Sequence, residues 1–264
     1  MQVLSPELAE GQSLLALRGI VKRFGRVGAL NDVDFEASAG EVVALVGDNG
    51  AGKSTLVKIV SGSLHADEGT ILFGGRPVSI PNPRAAAALG IQTVYQDLAL
   101  CDNLPVVDNL YLGRERRITL VPHIARFLAP NKMEAEAAKT FAALGVRVPS
   151  LDRPIATLSG GQRQAVAVAR AVLWGSTVVL LDEPTAALGV EQTAHVLELV
   201  RRLRERGLAV VLVSHNLADV FAVADRIVVL RLGRNAGSFV PGRDAPEQVV
   251  AAITGGAALA GVSV

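Results

Sequence analysis

Between residues 42 and 61 the chain passes from an apolar run through a glycine-rich turn into a helical segment. This order constrains the fold more than any other feature of the sequence. Val42–Val46 is typical of a buried strand and Thr55–Ser61 of a helix. The turn between them, GDNGAGKS at Gly47–Ser54, fits a phosphate-binding loop, which requires both neighbours, whereas a plain glycine-rich turn requires neither. The sequence therefore predicts an α/β domain with a phosphate site at the end of a strand.

The residue types of this loop suit the chemistry of a nucleotide. Glycines let the backbone amides face phosphate oxygens, and the helix adds its positive end. Lys53 is expected to reach the β- and γ-phosphates and Ser54 to bind Mg²⁺. The loop residues expected to contact the nucleotide are Gly47, Asp48, Asn49, Gly50, Ala51, Gly52, Lys53, Ser54 and Thr55.

A second apolar run, Val178–Leu181, ends in two acidic residues, Asp182 and Glu183. By itself this pattern also fits a buried strand that meets a solvated turn. Beside a phosphate loop, hydrolysis needs one carboxylate to hold Mg²⁺ and another group to orient or deprotonate the attacking water. Asp182 suits the first role and Glu183 the second.

Strand-like runs alternate with helix-like segments along most of the chain, which indicates an α/β fold with a mostly parallel, buried sheet. Its other predicted strands are Ile91–Tyr95, Ala209–Val213 and Ile227–Leu230. Alternating polar and apolar residues near the N-terminus predict a small antiparallel sheet from Leu14–Phe24, Ala29–Ser38 and Gly69–Gly74.

Between Gln96 and Leu158 the strand pattern stops, which predicts a helical insertion. Its clearest helix is Asn131–Leu144, expected to begin at Asn131 and to end near Gly145.

The segment LSGGQRQ, Leu158–Gln164, leads directly into an Ala/Val-rich helix. Ser159 is a good N-cap, and the two glycines expose backbone amides at the positive end of that helix, which makes a second anion site. The pentad LSGGQ, placed between the two phosphate-site motifs, resembles the signature of ATP-binding-cassette (ABC) ATPases. The resemblance covers about Leu14 to Gly237 and implies that the signature residues face the nucleotide of another copy. These residues are Ser159, Gly160, Gly161 and Gln162.

Three further positions fall where this family implies a function, although each has a simpler interpretation alone. Phe24 resembles the aromatic residue that stacks on adenine, but could be a core phenylalanine. Gln96 resembles the glutamine that touches Mg²⁺ and the attacking water, but could be a solvated strand end. His215 resembles the histidine that contacts the γ-phosphate, but could be structural.

The resemblance implies a complete set of roles with ATP and Mg²⁺ as cofactors. The catalytic residues would be Glu183, His215, Lys53 and Gln96, and the Mg²⁺ site would use Ser54, Gln96 and Asp182. It also implies a phosphate-loop NTPase core at residues 14–240, with the helical subdomain inserted at about 97–157. Residues 1–13 would form an N-terminal tail, and residues 241–264 a C-terminal helix and flexible tail.

Two segments resemble a narrower group, the bacterial monosaccharide importers of the ribose and fructose type. They are TAALGV at Thr185–Val190 and SHNLADVFAVADR at Ser214–Arg226. Most family members have an aspartate in place of Gly189, which normally helps to join two facing sites. This chain has one cassette, as the fructose-like members do, so two copies must meet head to tail.

The same resemblance implies membrane permease subunits as partners, with a periplasmic sugar-binding protein acting indirectly. The permease is expected to dock near Gln96–Asn103, where the alternative is an ordinary solvated loop. We expect the protein to be peripheral, at the cytoplasmic face of the cell membrane. Met1–Gln12 has no basic residue that would start a secretory signal, and no apolar run is long enough to span a bilayer.

Composition excludes several other classes of function. The 26 basic and 25 acidic residues nearly cancel, so no net field attracts nucleic acid. Cys101 is the single cysteine, which excludes an internal disulfide and a cysteine metal cluster, and we expect it to be half-buried. A soluble ABC ATPase acting on DNA or the ribosome would show tandem cassettes, a coiled coil or basic extensions. A non-catalytic sensor would have lost Lys53 or Glu183, and both are present.

Overall fold

The computed structural model describes residues 13–121, 125–146 and 148–256. They form two compact units. The first comprises the described residues up to Gln96, Ser176–Pro184 and the described residues from Val200 onward. The second comprises the described parts of Asp97–Gly175 and Thr185–Leu199. Apart from Ser13, Gly255 and Gly256, the two predicted tails lie outside the described residues.

The first unit is built around a six-stranded sheet in the order β12-β11-β3-β10-β9-β6. Five strands are parallel, and β12 pairs antiparallel with β11. The strands are β3 (Val42–Val46), β6 (Ile91–Val94), β9 (Val178–Asp182), β10 (Ala209–Val213), β11 (Arg226–Arg231) and β12 (Arg234–Phe239). All residues of β3 and β10 are buried, which explains their unbroken apolar runs. The predicted parallel sheet is confirmed, with β12 added at its edge.

A four-stranded antiparallel sheet in the order β2-β1-β4-β5 completes the strands of this unit. It consists of β1 (Ser13–Phe24), β2 (Val27–Ser38), β4 (Glu68–Phe73) and β5 (Arg76–Val78). The predicted N-terminal sheet is therefore confirmed. The three-residue strand β5 was not predicted, because so short a segment shows no alternation.

Helices pack beside the strands of the first unit. Helix α1 (Lys53–Val60) follows the glycine-rich loop and overlaps the predicted helix at Thr55–Ser61. The others are α2 (Pro83–Ala88), α7 (Leu217–Val223) and α8 (Ala245–Thr254), with the end of α6 (Val190–Glu205). Helix α8 lies within residues 241–264, for which a C-terminal helix is expected. Within the described ranges no helix is both long enough and apolar enough to pass through a membrane.

The second unit is mainly helical, with α3 (Val106–Tyr111), α4 (Pro130–Leu144), α5 (Gly160–Leu173) and a short 3₁₀ helix at Ile155–Thr157. It also contains the antiparallel hairpin of β7 (Arg117–Val121) and β8 (Ala125–Leu128). The prediction that strands stop between Gln96 and Leu158 was therefore wrong. Each of these two strands contains an arginine, so neither is an unbroken apolar run like those that indicated β3 and β10. The unit runs to Gly175, because α5 packs on α3 and α4.

The predicted C-terminal end of α4 is correct, and the predicted N-terminal end is one residue too late. Gly145 ends the helix with φ 61°, as predicted. Asn131 does not begin it, because Pro130 occupies the first helical position and follows Ala129. Proline is favoured there, since its missing amide hydrogen would have no helical partner.

Candidate functional site

The glycine-rich loop adopts backbone conformations that side chains would prevent. Gly47 has φ 149°, and a Cβ atom there would collide with the carbonyl oxygen of Leu230. Gly52 has φ 107°, and a Cβ atom would lie 2.8 Å from the carbonyl oxygen of Ala29. Glycine is therefore required where the loop packs on β11 and β2.

Backbone hydrogen bonds within the loop and to Gly233 hold its conformation. The Ala51 amide donates to the Asp48 carbonyl at 3.1 Å, and the Gly233 amide donates to the Ala51 carbonyl at 3.1 Å. Asp48, Asn49 and Gly50 form the exposed tip. The loop thus turns some carbonyls toward the protein and leads into α1, whose first amides have no partner within the helix.

Lys53, the first residue of α1, folds back across the loop. Its ammonium group donates to the carbonyl oxygens of Gly47 at 2.7 Å and Asp48 at 3.1 Å. The residue is only 9% exposed. Burial lowers the pKa of Lys53, and this effect is partly offset by the negative charges of Glu183, Asp48 and Asp182. An ammonium held in this way is already desolvated and placed to exchange two carbonyls for phosphate oxygens.

The two acidic residues lie where β9 ends. Asp182 is the last residue of β9 and pairs with Val213 of β10. Burial, together with the neighbouring charge of Glu183, raises the pKa of Asp182, while Lys53 and Lys58 oppose this shift. The Glu183 amide donates to the Val213 carbonyl at 2.9 Å, with φ 50° at Glu183. A left-handed conformation at a residue other than glycine costs energy and is common at functional sites.

Glu183 and His215 are paired. Nδ1 of His215 lies 2.8 Å from a carboxylate oxygen of Glu183. The Glu183 side chain is 16% exposed, whereas that of His215 is 71% exposed. His215 follows β10 directly, so the parallel register of β9 and β10 brings together residues that lie 32 positions apart in the sequence. The pair can hold and pass a proton at the edge of the phosphate loop.

The remaining predicted residues of this unit are exposed. Phe24 ends β1 with 51% of its surface exposed, so it is not the core phenylalanine that was the alternative. The ammonium of Lys22 lies 5.6 Å from its ring centre. Gln96 lies two residues beyond β6 and is exposed, as is Ser54 in the first turn of α1. Within the described part of the chain, the Gln96 side chain does not hydrogen-bond to Lys53, Glu183 or His215.

The signature segment lies in the second unit, at the start of α5. The Ser159 hydroxyl accepts from the Gln162 amide at 3.3 Å, and the Gln162 side chain accepts from the Ser159 amide at 3.0 Å. This reciprocal capping box confirms Ser159 as the N-cap and adds a structural role for Gln162 that was not predicted, although the Ser-x-x-Gln spacing signals it.

Both signature glycines are also closely packed. A Cβ atom on Gly160 would lie 2.8 Å from Leu188, and one on Gly161 would lie 3.2 Å from Gln192. The segment that begins α6 thus lies directly on the signature turn within the same unit. The sequence carries no local signal for this contact.

The side chains present fit Mg²⁺ only together with a nucleotide. Among the described residues, no group of three or more His, Cys, Asp or Glu side chains could hold a metal ion. The Ser54 hydroxyl and the Asp182 carboxylate supply two oxygen donors of the kind that Mg²⁺ prefers. Phosphate oxygens and water would complete the shell, as is usual for this ion at phosphate-transfer sites.

A cavity of about 250 Å³ lies beside the phosphate loop within the first unit. Gly47, Asp48 and His215 line one side, and Val250 and Ile253 of α8 line another. It is smaller than most pockets that enclose a whole small-molecule ligand. Sequence reasoning did not indicate it.

A phosphate loop between a parallel strand and a helix, with two carboxylates at the end of another parallel strand, defines a nucleotide-binding domain of the phosphate-loop ATPase class. Residues 30–186, more than half of the chain, match the family described as ABC transporter. The chain belongs to this family.

Similar proteins agree with this assignment. The chain is 47% identical to the fructose import ATP-binding protein of Rhizobium meliloti, covering 92% of this chain and 95% of that protein. It is 48% identical to the xylose/arabinose import ATP-binding protein of Sulfolobus acidocaldarius, covering 84% and 86%. A ribose import ATP-binding protein of Rubrobacter xylanophilus is 45% identical, but the match spans only 45% of that longer protein.

Solved structures match the same fold. A nucleotide-free ATP-binding cassette from an ABC transporter superposes with a TM-score of 0.77 at 25% identity, covering 90% of this chain and 95% of that one. An ATP-binding cassette in its ADP conformation gives the same TM-score and identity, covering 92% and 95%.

Proposed function

We propose that this chain is the ATP-hydrolysing subunit of an importer for a small sugar. The observation that carries the proposal is the cluster of Lys53, Asp182, Glu183 and His215 around an intact phosphate loop, because binding alone would need no paired Glu183 and His215. The names of the fructose, xylose/arabinose and ribose import relatives support a sugar as the solute.

The roles of the site residues follow from their positions. Phe24 offers an exposed ring for adenine, and Gly47 through Thr55 wrap the phosphates. Lys53 neutralises charge on the β- and γ-phosphates. Ser54, Asp182 and Gln96 would hold Mg²⁺, which supplies charge stabilisation to the phosphates when bound.

Glu183 acts as the base toward the attacking water. Its carboxylate is mostly buried and lies 2.8 Å from Nδ1 of His215, a contact that would orient it before ATP arrives. His215 is exposed and can turn toward the γ-phosphate while keeping Glu183 in place.

Two copies are proposed to close on ATP, with each phosphate loop facing the other copy's Ser159–Gln162. The amides of Gly160 and Gly161, between the two amides used by the capping box, suit the phosphates of the facing nucleotide. A solved bacterial ABC transporter cassette whose fold resembles this chain is dimeric, which supports the arrangement. Closing and reopening would drive permease subunits at the cytoplasmic face of the membrane, with a periplasmic sugar-binding protein upstream and no nucleic acid involved.

The test replaces Glu183 by glutamine, which preserves size and removes the base. Glu183→Gln should bind ATP but lose nearly all turnover, so ATP stays trapped and the closed dimer accumulates. Light scattering on a sizing column should show a dimer with ATP and a monomer with ADP. A double variant that also carries Ser159→Arg should stay monomeric, because the bulk blocks the facing surface. Substantial remaining ATPase activity would move the catalytic role from Glu183 to another residue.

A further inference from the structure

The segment after Gln96 is held by side chains rather than by regular secondary structure. The guanidinium group of Arg170, on α5, donates to the carbonyl oxygens of Leu98 at 2.8 Å and Ala99 at 2.9 Å. Ala99 has φ 48°. This strained turn places both carbonyls within reach of one planar group.

Asn109 of α3 holds the rest of the same segment. Its side chain is fully buried, and its oxygen accepts from the Cys101 amide at 2.7 Å. Its nitrogen donates to the carbonyl oxygens of Cys101, Leu104 and Pro105 at 3.0–3.2 Å. The buried Asn109 amide depends on these contacts, because a side-chain amide left without partners in the interior would be unsatisfied. These bonds fix the backbone of residues 101–105 against α3.

Arg170 is an unusual partner for a loop. It is half-buried, and its described hydrogen bonds go to two neutral carbonyls rather than to a carboxylate. Burial also lowers the pKa of Arg170. A desolvated cation that depends on two carbonyls couples the backbone of the loop to the position of α5.

The same helix carries the signature residues at its other end. Helix α5 has 14 residues and begins directly after Ser159. Arg163 lies seven residues before Arg170, on the same face. It approaches Asp102 at 3.5 Å and donates to the carbonyls of Leu158 and Ala156 at 3.2 Å. The loop is thus fastened to both ends of α5.

We propose that Arg170 is a positioning residue that fastens residues 97–103 to α5, so that displacement of this loop moves Ser159–Gln162 with it. The proposal rests on the proposed function, in which a permease contacts this loop and the signature closes on ATP. An α-helix transmits an axial displacement along its length because its backbone hydrogen bonds make it stiff. Arg170 would then link the permease to ATP closure without touching either.

The test uses the full chain in the Glu183→Gln background, with ATP as the ligand. Arg170→Met keeps an unbranched side chain but removes every donor to the two carbonyls. Ala99→Pro changes the loop instead of the arginine. Proline fixes φ at about −65° at this exposed position, which moves the carbonyls of Leu98 and Ala99 away from Arg170. Both variants should raise the ATP concentration for half-maximal dimerisation about five- to tenfold, at the low end of ordinary coupling between sites. Lys139→Met, on the exposed side of α4, removes a charge in the same unit and should have no effect.

Two further measurements separate positioning from a merely structural role. Monomer affinity for a fluorescent ATP analogue should stay unchanged, because the phosphate loop is untouched. Amide hydrogen exchange should rise at residues 159–163 as well as at 98–104. Faster exchange in the loop alone, with unchanged dimerisation, would overturn the proposal. A Glu183→Gln protein that never dimerises would instead contradict the two-copy site, and exchange at 159–163 would still decide the role of Arg170.

Discussion

At the residue scale, the site holds charges where the fold does not favour them. Lys53 and Asp182 both have pKa values displaced toward the neutral form, mainly by burial. Glu183 adds a left-handed backbone. Such costs persist at functional sites because the surrounding structure enforces them. Removing a functional group from the cluster of Lys53, Asp182 and Glu183 should therefore stabilise the protein.

Asp182→Asn should raise the melting temperature without nucleotide by a few degrees at pH 7. Because the pKa of Asp182 is raised above its ordinary value of 3.8, its ionised form is less favourable in the folded chain than in the unfolded one. That penalty is full above the folded pKa and vanishes below 3.8, so the gain should disappear as the pH falls toward 3.8.

Thermal unfolding followed by circular dichroism measures this effect across pH. Asp152→Asn, an exposed carboxylate in the other unit, is the matched control and should change little. A lower melting temperature for Asp182→Asn at pH 7 would show that Lys53 stabilises the carboxylate more than burial and Glu183 destabilise it.

At the scale of elements, the turn before α6 uses glycine where the backbone does not require it. A Cβ atom on Gly189 would meet open space, and φ there lies outside the left-handed region. Its carbonyl accepts from the Thr193 amide at 2.9 Å, which makes Gly189 the N-cap of α6. The aspartate common elsewhere in the family would fit this position.

Gly189→Asp should therefore stabilise the chain by a few tenths of a kcal/mol, since an aspartate at an N-cap accepts from the amides of the first turn. Gly189→Ala removes the glycine without supplying an oxygen and is the matched control. Chemical denaturation measures both variants. If Gly189→Asp is no more stable than Gly189→Ala, the side chain does not cap α6 and the missing aspartate matters only between copies.

At the scale of the whole molecule, binding of Mg²⁺ and ATP should stabilise the folded chain by mass action. At a ligand concentration of one hundred times Kd the gain is about 2.7 kcal/mol. Differential scanning fluorimetry should show a clear rise in melting temperature for the wild-type chain, but little for Lys53→Ala, which would lose the proposed phosphate contact. An equal rise with and without Mg²⁺ would argue against the metal roles of Ser54 and Asp182.

Much of this molecule could be predicted from local patterns. The runs Val42–Val46 and Ala209–Val213 are strands because five apolar residues in succession are buried on both faces of a parallel sheet. Ser159 caps α5 because its hydroxyl accepts a hydrogen bond from the Gln162 amide, which lies only three residues further along the chain. Features of this kind depend on neighbours in the sequence, and the phosphate loop is one of them.

Other features depend on register between distant segments, which no local pattern encodes. The Glu183 and His215 pair exists because β9 and β10 are parallel and end together. The hairpin of β7 and β8 and the grip of Arg170 on Leu98 and Ala99 arise in the same way. The sequence by itself determined the class of site and the residue types that form it, because glycine spacing, caps and apolar runs act over a few residues. Only the tertiary structure decided which charges meet, how deeply they are buried and what holds the loop after Gln96, because those depend on packing across the chain.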